Sequence, residues 1–360
     1  MRRAKERATV SRTRFGWCLL AVLVLVAGAC GGDSGDDATA SGADGSDASG
    51  ASDGGGEVAT GETFPVTVEH KFGETTVEAR PERVVTVGLT DHDAVLALGV
   101  APVGVTDWFG DHPYATWPWA QDALGDAEPE IVGDPATIAF EKIAELQPDV
   151  ILALYAGLTQ ENYDLLSEIA PTVAQPDDLP DYGIPWDEQT LTIGRVLGQS
   201  GKAEDLVAGV EQKLADARAA HPEFAGKEGV VASPYNNLVS VFTPDDPRGR
   251  FLADLGFTQP SEIADLAGSQ FSADLSDERL DLIDVDAIVW IVNAVETDVP
   301  EFDQDPIYSK LDVHTGRHEA FVENLSPLGG ATSFVTVLSL PFLIDELVPQ
   351  LATAVAGNGA

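Results

Sequence analysis

The pattern of hydrophobic and polar positions divides the chain into three segments. Residues 15–28 form an almost wholly apolar run that follows an Arg-rich start and is shorter than the roughly 20 residues needed to cross a membrane. This pattern predicts a signal peptide over residues 1–29. Residues 31–62 contain no aromatic residue, Lys or Arg and cannot build a core. We therefore predict a disordered Gly-, Ser- and Asp-rich tether over residues 30–62.

From residue 63 onward, short β-branched runs alternate with amphipathic helical patterns. Residues 83–88, 149–154 and 287–292 are predicted strands, and residues 91–98 are a predicted helix that Gly99 ends. Strands that are apolar on both faces and alternate with helices are typical of parallel sheets covered by helices. The predicted fold class is therefore α/β.

An ungapped internal match indicates two lobes built to one plan. Residues 141–152, a helix that leads into a buried strand, align with residues 278–289. Self-similarity of this kind favours a repeated architecture, although any helix followed by a buried strand resembles another. The predicted N-terminal lobe covers residues 63–185 and the predicted C-terminal lobe covers residues 222–360.

A long amphipathic helix is predicted between the lobes, in a connecting segment over residues 186–221. It extends from residue 187 to about residue 220, with an interruption near residues 198–201. At 1.5 Å per residue it would span about 50 Å, enough to pass beside both lobes. A single helical connector predicts only small hinge motion.

The apolar N-terminal run ends in small residues directly before Cys30, an arrangement that resembles a bacterial lipobox. The only other cysteine, Cys18, lies inside the predicted signal peptide, so Cys30 has no internal partner for a disulfide. Lipid attachment at Cys30 explains this lone thiol, and the protein is predicted to be anchored on the extracytoplasmic face of the cell membrane. A secreted product without lipid is the alternative.

The charge balance excludes two classes of partner. With 20 Lys and Arg against 60 Asp and Glu, the formal net charge is −40. Nucleic acid binding and polybasic docking on membranes both need clustered Lys and Arg. The acidity favours solubility and says little about a ligand.

Several features together resemble the iron-siderophore solute-binding proteins of ABC importers. They are the predicted anchored architecture, the Pro81-Glu82-Arg83 start of the first strand, the Gln147-Pro148-Asp149 entry to the buried strand, the charged segment 246–250 and the mid-chain helix. The resemblance implies two Rossmann-like lobes, joined by a single long helix, that clamp a ferric siderophore without chemical change. It also implies a monomer without cofactor. Haem, a corrinoid or a bare metal ion are alternative ligands, and a secreted hydrolase is a less favoured alternative.

The resemblance further implies that one exposed Glu on each lobe docks on Arg residues of the membrane permease. The matching positions are Glu141 and Glu278, which are also aligned in the internal match. Each begins a predicted helix, where a carboxylate is favoured by the helix dipole whatever its function.

A ligand is expected at the carboxyl ends of the strands, where α/β sheets usually bind small molecules. The N-terminal half carries about 20 extra residues between Gly99 and Glu141, with five aromatic residues that either line a cleft or cap the lobe. Arg side chains suit the oxygen atoms of a siderophore, although Arg250 is equally suited to ordering its own loop through Asp245 or Asp246. The predicted ligand-binding residues are Thr90, Trp108, Trp117, Tyr155, Tyr235, Arg248, Arg250 and Trp290.

Catalytic and metal-binding motifs would indicate other classes of protein. The sequence contains no Gly-x-Ser-x-Gly, no His-Glu-x-x-His and no phosphate-binding loop, so an enzyme is not predicted. Only His314 and His318 have a ligand-like spacing, and Gly316 between them argues against a regular helix. No metal site is predicted.

Overall fold

A computed structural model describes residues 63–235 and 238–359. The predicted signal peptide, the lipid-attachment position Cys30 and the predicted tether lie outside the described residues. Within the described part, the chain contains β-strands at β1 Val66–His70, β2 Gly73–Val77, β3 Val84–Thr86, β4 Gly104–Thr106, β5 Glu130–Asp134, β6 Thr137–Ile138, β7 Val150–Ala153, β8 Thr172–Ala174, β9 Gly229–Tyr235, β10 Leu238–Phe242, β11 Ser272–Leu275, β12 Ala287–Val292 and β13 Glu319–Glu323.

Helices alternate with these strands along most of the chain. The α-helices of the described residues are α1 Asp91–Ala97, α2 Gln121–Leu124, α3 Phe140–Glu145, α4 Gln160–Ser167, α5 Trp186–Val196, α6 Ser200–Ala220, α7 Pro247–Asp254, α8 Ser261–Ala267, α9 Val295–Gln304, α10 Asp312–Thr315, α11 Pro327–Phe334 and α12 Ser339–Val355.

The N-terminal lobe is built on a sheet in the order β6-β5-β4-β3-β7-β8. The neighbouring strands β5, β4, β3, β7 and β8 are all parallel to one another. The short edge strand β6 is antiparallel to β5. Strands β3 and β7 are buried at every position, as expected for parallel strands covered on both faces. Strands β1 and β2 form a separate antiparallel hairpin.

The C-terminal lobe has a sheet in the order β11-β10-β9-β12-β13. Strands β9, β12 and β13 are parallel, whereas β10 is antiparallel to both β9 and β11. The expected parallel sheet is therefore mixed in this lobe. Only residues 236 and 237 separate β9 from β10, and a parallel connection needs a dozen or more residues.

The two sheets share a plan, and the predicted two-lobed α/β fold is confirmed. Strand β7 lies between β3 and β8, and β12 lies between β9 and β13, so the two strands of the internal match hold equivalent places. The segments that precede them differ. Residues 140–145 form the α-helix α3, whereas Asp277–Ile283 form a 3₁₀ helix kinked at Arg279.

The connecting segment is two helices instead of one rod. Helix α5 ends at Val196 and the 21-residue helix α6 begins at Ser200. Between them Gly198 has φ +68°, a left-handed conformation that favours glycine. The predicted interruption is thus present, and the expected 50 Å span is wrong, since α6 alone is about 32 Å long.

The break allows the two connecting helices to pack on each other. A Cβ added at Gly194 would overlap the methyl group of Ala203, so the helices cross closely. Helix α5 also packs against α1 of the N-terminal lobe, and α6 packs against the C-terminal helix α12. The lobe boundaries at residues 185 and 222 stay predictions.

One hydrophobic core extends through both lobes. It includes Val84 and Leu152 of the N-terminal sheet, Val289 of the C-terminal sheet and Leu347 of α12. A shared, close-packed core resists large relative movement.

Among residues 63–235 and 238–359, no single helix has the length and apolar character to cross a membrane. Helices α11 and α12 meet these two criteria only when they are taken as a pair, and the pair is bent by 116°.

Candidate ligand-binding site

The carboxyl ends of the N-terminal strands carry a group of aromatic rings. Trp108 follows β4 and is half-buried, and Tyr155 follows β7 with 4% of its surface exposed. Their ring centroids are 6.1 Å apart, and the ring of Tyr182 lies 5.4 Å from that of Tyr155. These three rings form one wall at the position where an α/β sheet binds ligands.

A buried carboxylate fixes the loop that carries Tyr155. Asp91, the first residue of α1, accepts hydrogen bonds from the backbone N–H of Leu154 at 2.8 Å and of Tyr155 at 3.2 Å. The side chain of Gln189 on α5 donates to the same carboxylate at 2.7 Å. Burial raises the pKa of Asp91 to about 6, although these hydrogen bonds oppose the rise. Asp91 therefore positions the site without facing it.

Thr90 belongs to the same buried network. It is 1% exposed, and its hydroxyl accepts a hydrogen bond from Gln189 Nε2 at 3.0 Å. Packing of α5 on α1 encloses the Thr90 side chain, and its contact with a ligand stays a prediction.

The aromatic insertion of the N-terminal lobe mainly caps the lobe. Trp117 is 1% exposed, and its ring stacks on Trp119 at 5.1 Å with an interplanar angle of 7°. The ring centroid of Phe334, in the C-terminal half, lies 5.9 Å from that of Trp117 and 5.2 Å from that of Trp108. Trp117 is therefore packed in the cap of the lobe, and its place in the ligand lining stays a prediction.

A polar contact also joins the halves beneath this cap. The Asp93 carboxylate accepts a hydrogen bond from Thr336 Oγ1 at 2.5 Å and from Trp119 Nε1 at 2.9 Å. Burial raises the pKa of Asp93, and the neighbouring His92 opposes that rise. The cap is thus fixed by hydrogen bonds as well as by ring packing.

The C-terminal lobe faces the aromatic wall with an ion pair. Arg248 donates to Asp246 through Nε at 2.7 Å and through Nη2 at 2.8 Å, a bidentate arrangement. Its guanidinium lies 3.5 Å from the ring centroid of Phe242. Asp246 is 1% exposed and also caps α7 by accepting the backbone N–H of Arg248 at 2.9 Å.

The ion pair lies within electrostatic reach of the aromatic wall. Burial raises the pKa of the Tyr155 hydroxyl, the Asp246 carboxylate raises it further, and Arg248 lowers it. Tyr155, with Trp108 and Tyr182 beside it, therefore lies near Arg248, which packs on Phe242. We call the region between these five side chains the interlobe cleft.

Each side of the interlobe cleft shares residues with a separate cavity, Tyr182 with one and Phe242 and Arg248 with the other. The N-terminal side has a cavity of about 320 Å³, lined by Thr106, Asp134 and Tyr182 among others. The C-terminal side has one of about 120 Å³, lined by Arg248, Asn293 and others. The larger of the two is within the range of small-molecule sites.

Arg250 orders a loop that connects the lobes. Its Nη2 donates to the carbonyl oxygen of Asp245 at 2.9 Å and to that of Gly183 in the N-terminal half at 3.0 Å. Of the two alternatives considered for Arg250, this geometry favours loop ordering, through carbonyl groups instead of carboxylates. It lines a separate cavity beside Trp186 and Arg218.

The remaining two predicted ligand residues lie elsewhere in the C-terminal lobe. Trp290 is 0% exposed, and its Nε1 donates to the Tyr308 hydroxyl at 2.8 Å. Tyr235 is 63% exposed and borders a cavity of about 490 Å³ together with Tyr308. Trp290 lines the same cavity as Tyr235, and its contact with a ligand stays a prediction. Tyr235 is not brought together with Arg248 in either cavity of the cleft.

Glu141 and Glu278 are both exposed on the surface of their lobes. Glu141 lies in the first turn of α3, and Glu278 lies in the 3₁₀ helix before β12. Neither carboxylate takes part in a hydrogen bond or ion pair within the described part of the chain, so both are available to a partner.

The histidine pair considered for zinc is engaged in other contacts. His314 Nδ1 lies 3.0 Å from Glu319 and its Nε2 lies 3.3 Å from Asp303, while His318 Nδ1 bonds the Ala354 carbonyl at 2.8 Å. Over residues 63–235 and 238–359, no group of three or more His, Cys, Asp or Glu side chains is arranged to hold a metal ion.

Comparison with known proteins decides the class of protein. A family model described as periplasmic binding protein matches residues 84–313. The chain belongs to the periplasmic binding protein family. This family consists of binding proteins, in agreement with the sequence prediction.

Curated relatives of this periplasmic binding protein are named for iron chelates. The probable siderophore-binding lipoprotein YfiY of Bacillus subtilis is 29% identical over 244 residues, which are 65% of this chain and 70% of the relative. The Fe(3+)-citrate-binding protein YfmC of the same organism is 27% identical over 253 residues, 68% of this chain and 74% of the relative. The predicted family resemblance is thereby confirmed.

Solved structures give the same result. A periplasmic solute binding protein from Mycobacterium smegmatis is 36% identical, with a TM-score of 0.71, and the match covers 81% of this chain and 98% of that one. PiaA of Streptococcus pneumoniae in complex with ferrichrome is 26% identical, with a TM-score of 0.72 and coverage of 81% and 99%.

The sequence prediction missed Tyr182 and Phe242 of the interlobe cleft and Phe334 of the aromatic cap. Tyr182 follows Asp181 and precedes Gly183 in a loop, and an aromatic residue in such a loop was a usable signal. Phe242 and Phe334 carried no local signal. Their partners, Arg248 and Trp108, are found only once the chain has folded.

Proposed function

We propose that this protein captures a ferric siderophore in the interlobe cleft and delivers it to an ABC permease. The observation that carries the proposal is the aromatic wall of Trp108 and Tyr155 near Arg248 at the carboxyl ends of the two sheets. Aromatic walls with a few polar groups suit a small organic chelate. The relatives named for siderophores and ferric citrate support this ligand class.

Delivery requires the protein to stay close to its permease. We propose that the lipid on Cys30 and the tether over residues 30–62 keep the binding domain at the outer face of the membrane as a monomer. Bacterial relatives described as lipoproteins support the anchor. A Cys30→Ala variant that is released from cells but sustains full uptake would contradict this part of the proposal.

Ligand capture is tested by titrating the purified binding domain with ferric siderophores, with haem and cobalamin as competing classes. We expect saturable quenching of tryptophan fluorescence by at least one ferric siderophore and no product. Trp108→Leu should weaken that binding about tenfold, because it removes one aromatic face of the cleft. Trp186→Phe, outside the cleft, is the matched control and should keep the affinity. Quenching only by haem or cobalamin would refute the siderophore.

Permease docking is proposed for Glu141 and Glu278, one exposed carboxylate on each lobe. Reversing both to Lys should abolish uptake by whole cells while leaving solute affinity unchanged, since neither lies in the cleft. Reversal of the exposed Glu145 and Asp265, which lie on helices of the same two lobes, is the matched control. Normal uptake by the Glu141 and Glu278 double variant would exclude the docking role.

A further inference from the structure

The ring of Tyr182 stands in the aromatic wall on a strained backbone. Tyr182 has φ +63°, a left-handed conformation that a bulky residue rarely adopts and that costs free energy. Its ring centroid lies 5.4 Å from that of Tyr155, and its side chain also lines the cavity of about 320 Å³ on the N-terminal side. Such a conformation persists only where the surrounding structure holds it, so the contacts of residues 180–184 decide where the ring lies.

Contacts within the N-terminal lobe hold this loop only in part. Asp181 accepts a hydrogen bond from Lys71 Nζ at 2.6 Å, but its side chain is 53% exposed, and exposed ion pairs contribute little to stability. The Gly183 N–H closes the turn on the carbonyl oxygen three residues earlier, at 3.0 Å. Ile184 is 2% exposed and fixes the end of the loop in the core. Tyr182 therefore lies between an exposed ion pair on one side and a buried end on the other.

Arg250 of α7 holds the same loop from the C-terminal lobe. Its Nη2 donates at 3.0 Å to the carbonyl oxygen of Gly183, the residue directly after Tyr182, and at 2.9 Å to the carbonyl oxygen of Asp245. A single nitrogen atom thus joins a loop of each lobe. Hydrogen bonds from a charged donor are stronger than neutral ones, and Gly183 is buried, so water competes poorly for its carbonyl group.

Arg250 bonds backbone carbonyl groups instead of carboxylates. In the described part of the chain it forms no ion pair with Asp or Glu, and its Nη1 is buried without a hydrogen-bond partner, which costs free energy. Its charge acts at longer range, since it opposes the rise in the pKa of Glu188 and of Asp254 and lowers the pKa of Tyr155. These contacts favour a role in positioning the backbone beside the cleft over a role in pairing charge.

The Tyr182 ring also packs against Gly157, in the loop after β7. A Cβ added at Gly157 would lie 2.7 Å from Cζ of the ring, so a larger residue there would displace the ring. The ring thus contacts Tyr155 and Gly157 of its own lobe, while Arg250 of the other lobe holds the backbone that carries it.

From these contacts we infer that Arg250 is a positioning residue of the interlobe cleft. Its bond to the Gly183 carbonyl group holds Tyr182 in the aromatic wall and so pre-organises the cleft for a ligand. This inference rests on the proposed function. Arg250 acts through Tyr182 and does not itself touch the ligand. Because the bond passes from one lobe to the other, the wall is complete only while the lobes keep their spacing. Pre-organisation of this kind improves affinity by reducing what must be ordered on binding.

The first test needs no ligand. In the full-length protein, Arg250→Gln should raise the rate of amide hydrogen exchange at residues 181–183 about tenfold, because the turn loses its bond to the C-terminal lobe. Arg218→Gln, which changes an exposed arginine that lines the same cavity as Arg250, is the matched control and should leave that rate within about twofold of wild type. Unchanged exchange at residues 181–183 in a folded Arg250→Gln protein would overturn the inference and leave the proposed function intact.

The second test asks whether Arg250 acts through Tyr182. Ferrichrome, ferric enterobactin and ferric dicitrate are titrated, and the complex that wild type binds most tightly is the probe. Tyr182→Ala and Arg250→Gln should each raise the Kd of the probe about tenfold, and the double variant should stay within about twofold of Tyr182→Ala. Effects that multiply to about a hundredfold would overturn the inference, because Arg250 would then act on the ligand without Tyr182. Failure of all three complexes to bind would count against the proposed function, and hydrogen exchange would still decide whether Arg250 holds the loop.

Gly157→Ala protects the test against a folding defect in Arg250→Gln. The added methyl group displaces the Tyr182 ring while Arg250 stays intact, so this variant should raise the Kd of the same probe about tenfold, as Tyr182→Ala does. In a protein that already carries Tyr182→Ala, the same substitution should change the Kd less than about threefold. Unchanged affinity in a folded Gly157→Ala protein would show that binding does not depend on where the Tyr182 ring lies, and the inference would be wrong.

Discussion

The two lobes share a strand order but present different chemistry to the cleft. In the N-terminal lobe, the segment between Gly99 and Glu141 carries an aromatic insertion, and Trp108 and Tyr155 face the cleft. In the C-terminal lobe, the corresponding stretch from Gly256 to Glu278 is about 20 residues shorter, and the cleft receives an ion pair, Arg248 with Asp246. The common sheet plan determines where the cleft lies, and the loops determine what it recognises.

The lobes also differ in how a buried carboxylate fixes the loop at the cleft. Asp91 receives two backbone N–H groups and an amide, without a cation nearby in its contacts. Asp246 receives a backbone N–H and a guanidinium. A carboxylate without a cation is costlier to bury, and the raised pKa of Asp91 reflects that cost. Stability should therefore depend on pH through Asp91 on the N-terminal side.

The largest expected effect comes from breaking the packing between the lobes. Phe334 is 3% exposed and inserts from the C-terminal half among Trp108, Trp117 and Trp119. Phe334→Ala should lower the free energy of unfolding by about 3–5 kcal/mol, because it leaves a cavity where the lobes meet. Chemical denaturation measures this.

Phe271→Ala is the control for that change, since Phe271 is 44% exposed. It should alter the free energy of unfolding by no more than about 0.5 kcal/mol. Equal effects of the two substitutions would mean that Phe334 does not couple the lobes.

A smaller effect should appear in the pH dependence of stability. The pKa of Asp91 is raised from 3.8 to about 6 in the folded protein. A carboxyl group with a raised folded pKa contributes stability that is complete below the unfolded pKa and is lost as pH rises through the folded pKa. From pH 7 to pH 5, wild type should therefore gain about 1 kcal/mol relative to Asp91→Asn.

Denaturant titrations of both proteins at the two pH values give this difference. The exposed Glu161→Gln is the control and should track wild type at both pH values. A difference between wild type and Asp91→Asn that stays constant from pH 5 to pH 7 would show that Asp91 does not titrate in this range.

The smallest effect concerns the connector between the lobes, where two glycines should respond with opposite sign. Gly198 has φ +68°, so Gly198→Ala should destabilise the protein by about 1 kcal/mol or more. Gly209 lies exposed in α6 with no atom within 4 Å of an added Cβ, so Gly209→Ala should stabilise it by about 0.5–1 kcal/mol. Thermal or chemical unfolding distinguishes the signs, and destabilisation by both would mean that the two positions do not differ in backbone conformation.

Much of the fold was predictable because local patterns carry it. The buried strands β3, β7 and β12 were visible as β-branched runs, and the break at Gly198 was marked by glycine. The direction of β10 was missed although the short β9–β10 spacing contained the answer. The site was less predictable, since Trp117 and Trp290 are aromatic residues in plausible places that became buried.

The sequence alone determined the α/β class, the two-lobed plan and the family resemblance, because hydrophobic periodicity and local motifs need no distant partner. Only the tertiary structure decided that Arg248 is neutralised by Asp246 and lies near Tyr155. It likewise decided that Phe334 closes the aromatic cap of the other lobe. Burial and charge pairing depend on which distant segments meet, and that is set by packing of the whole chain.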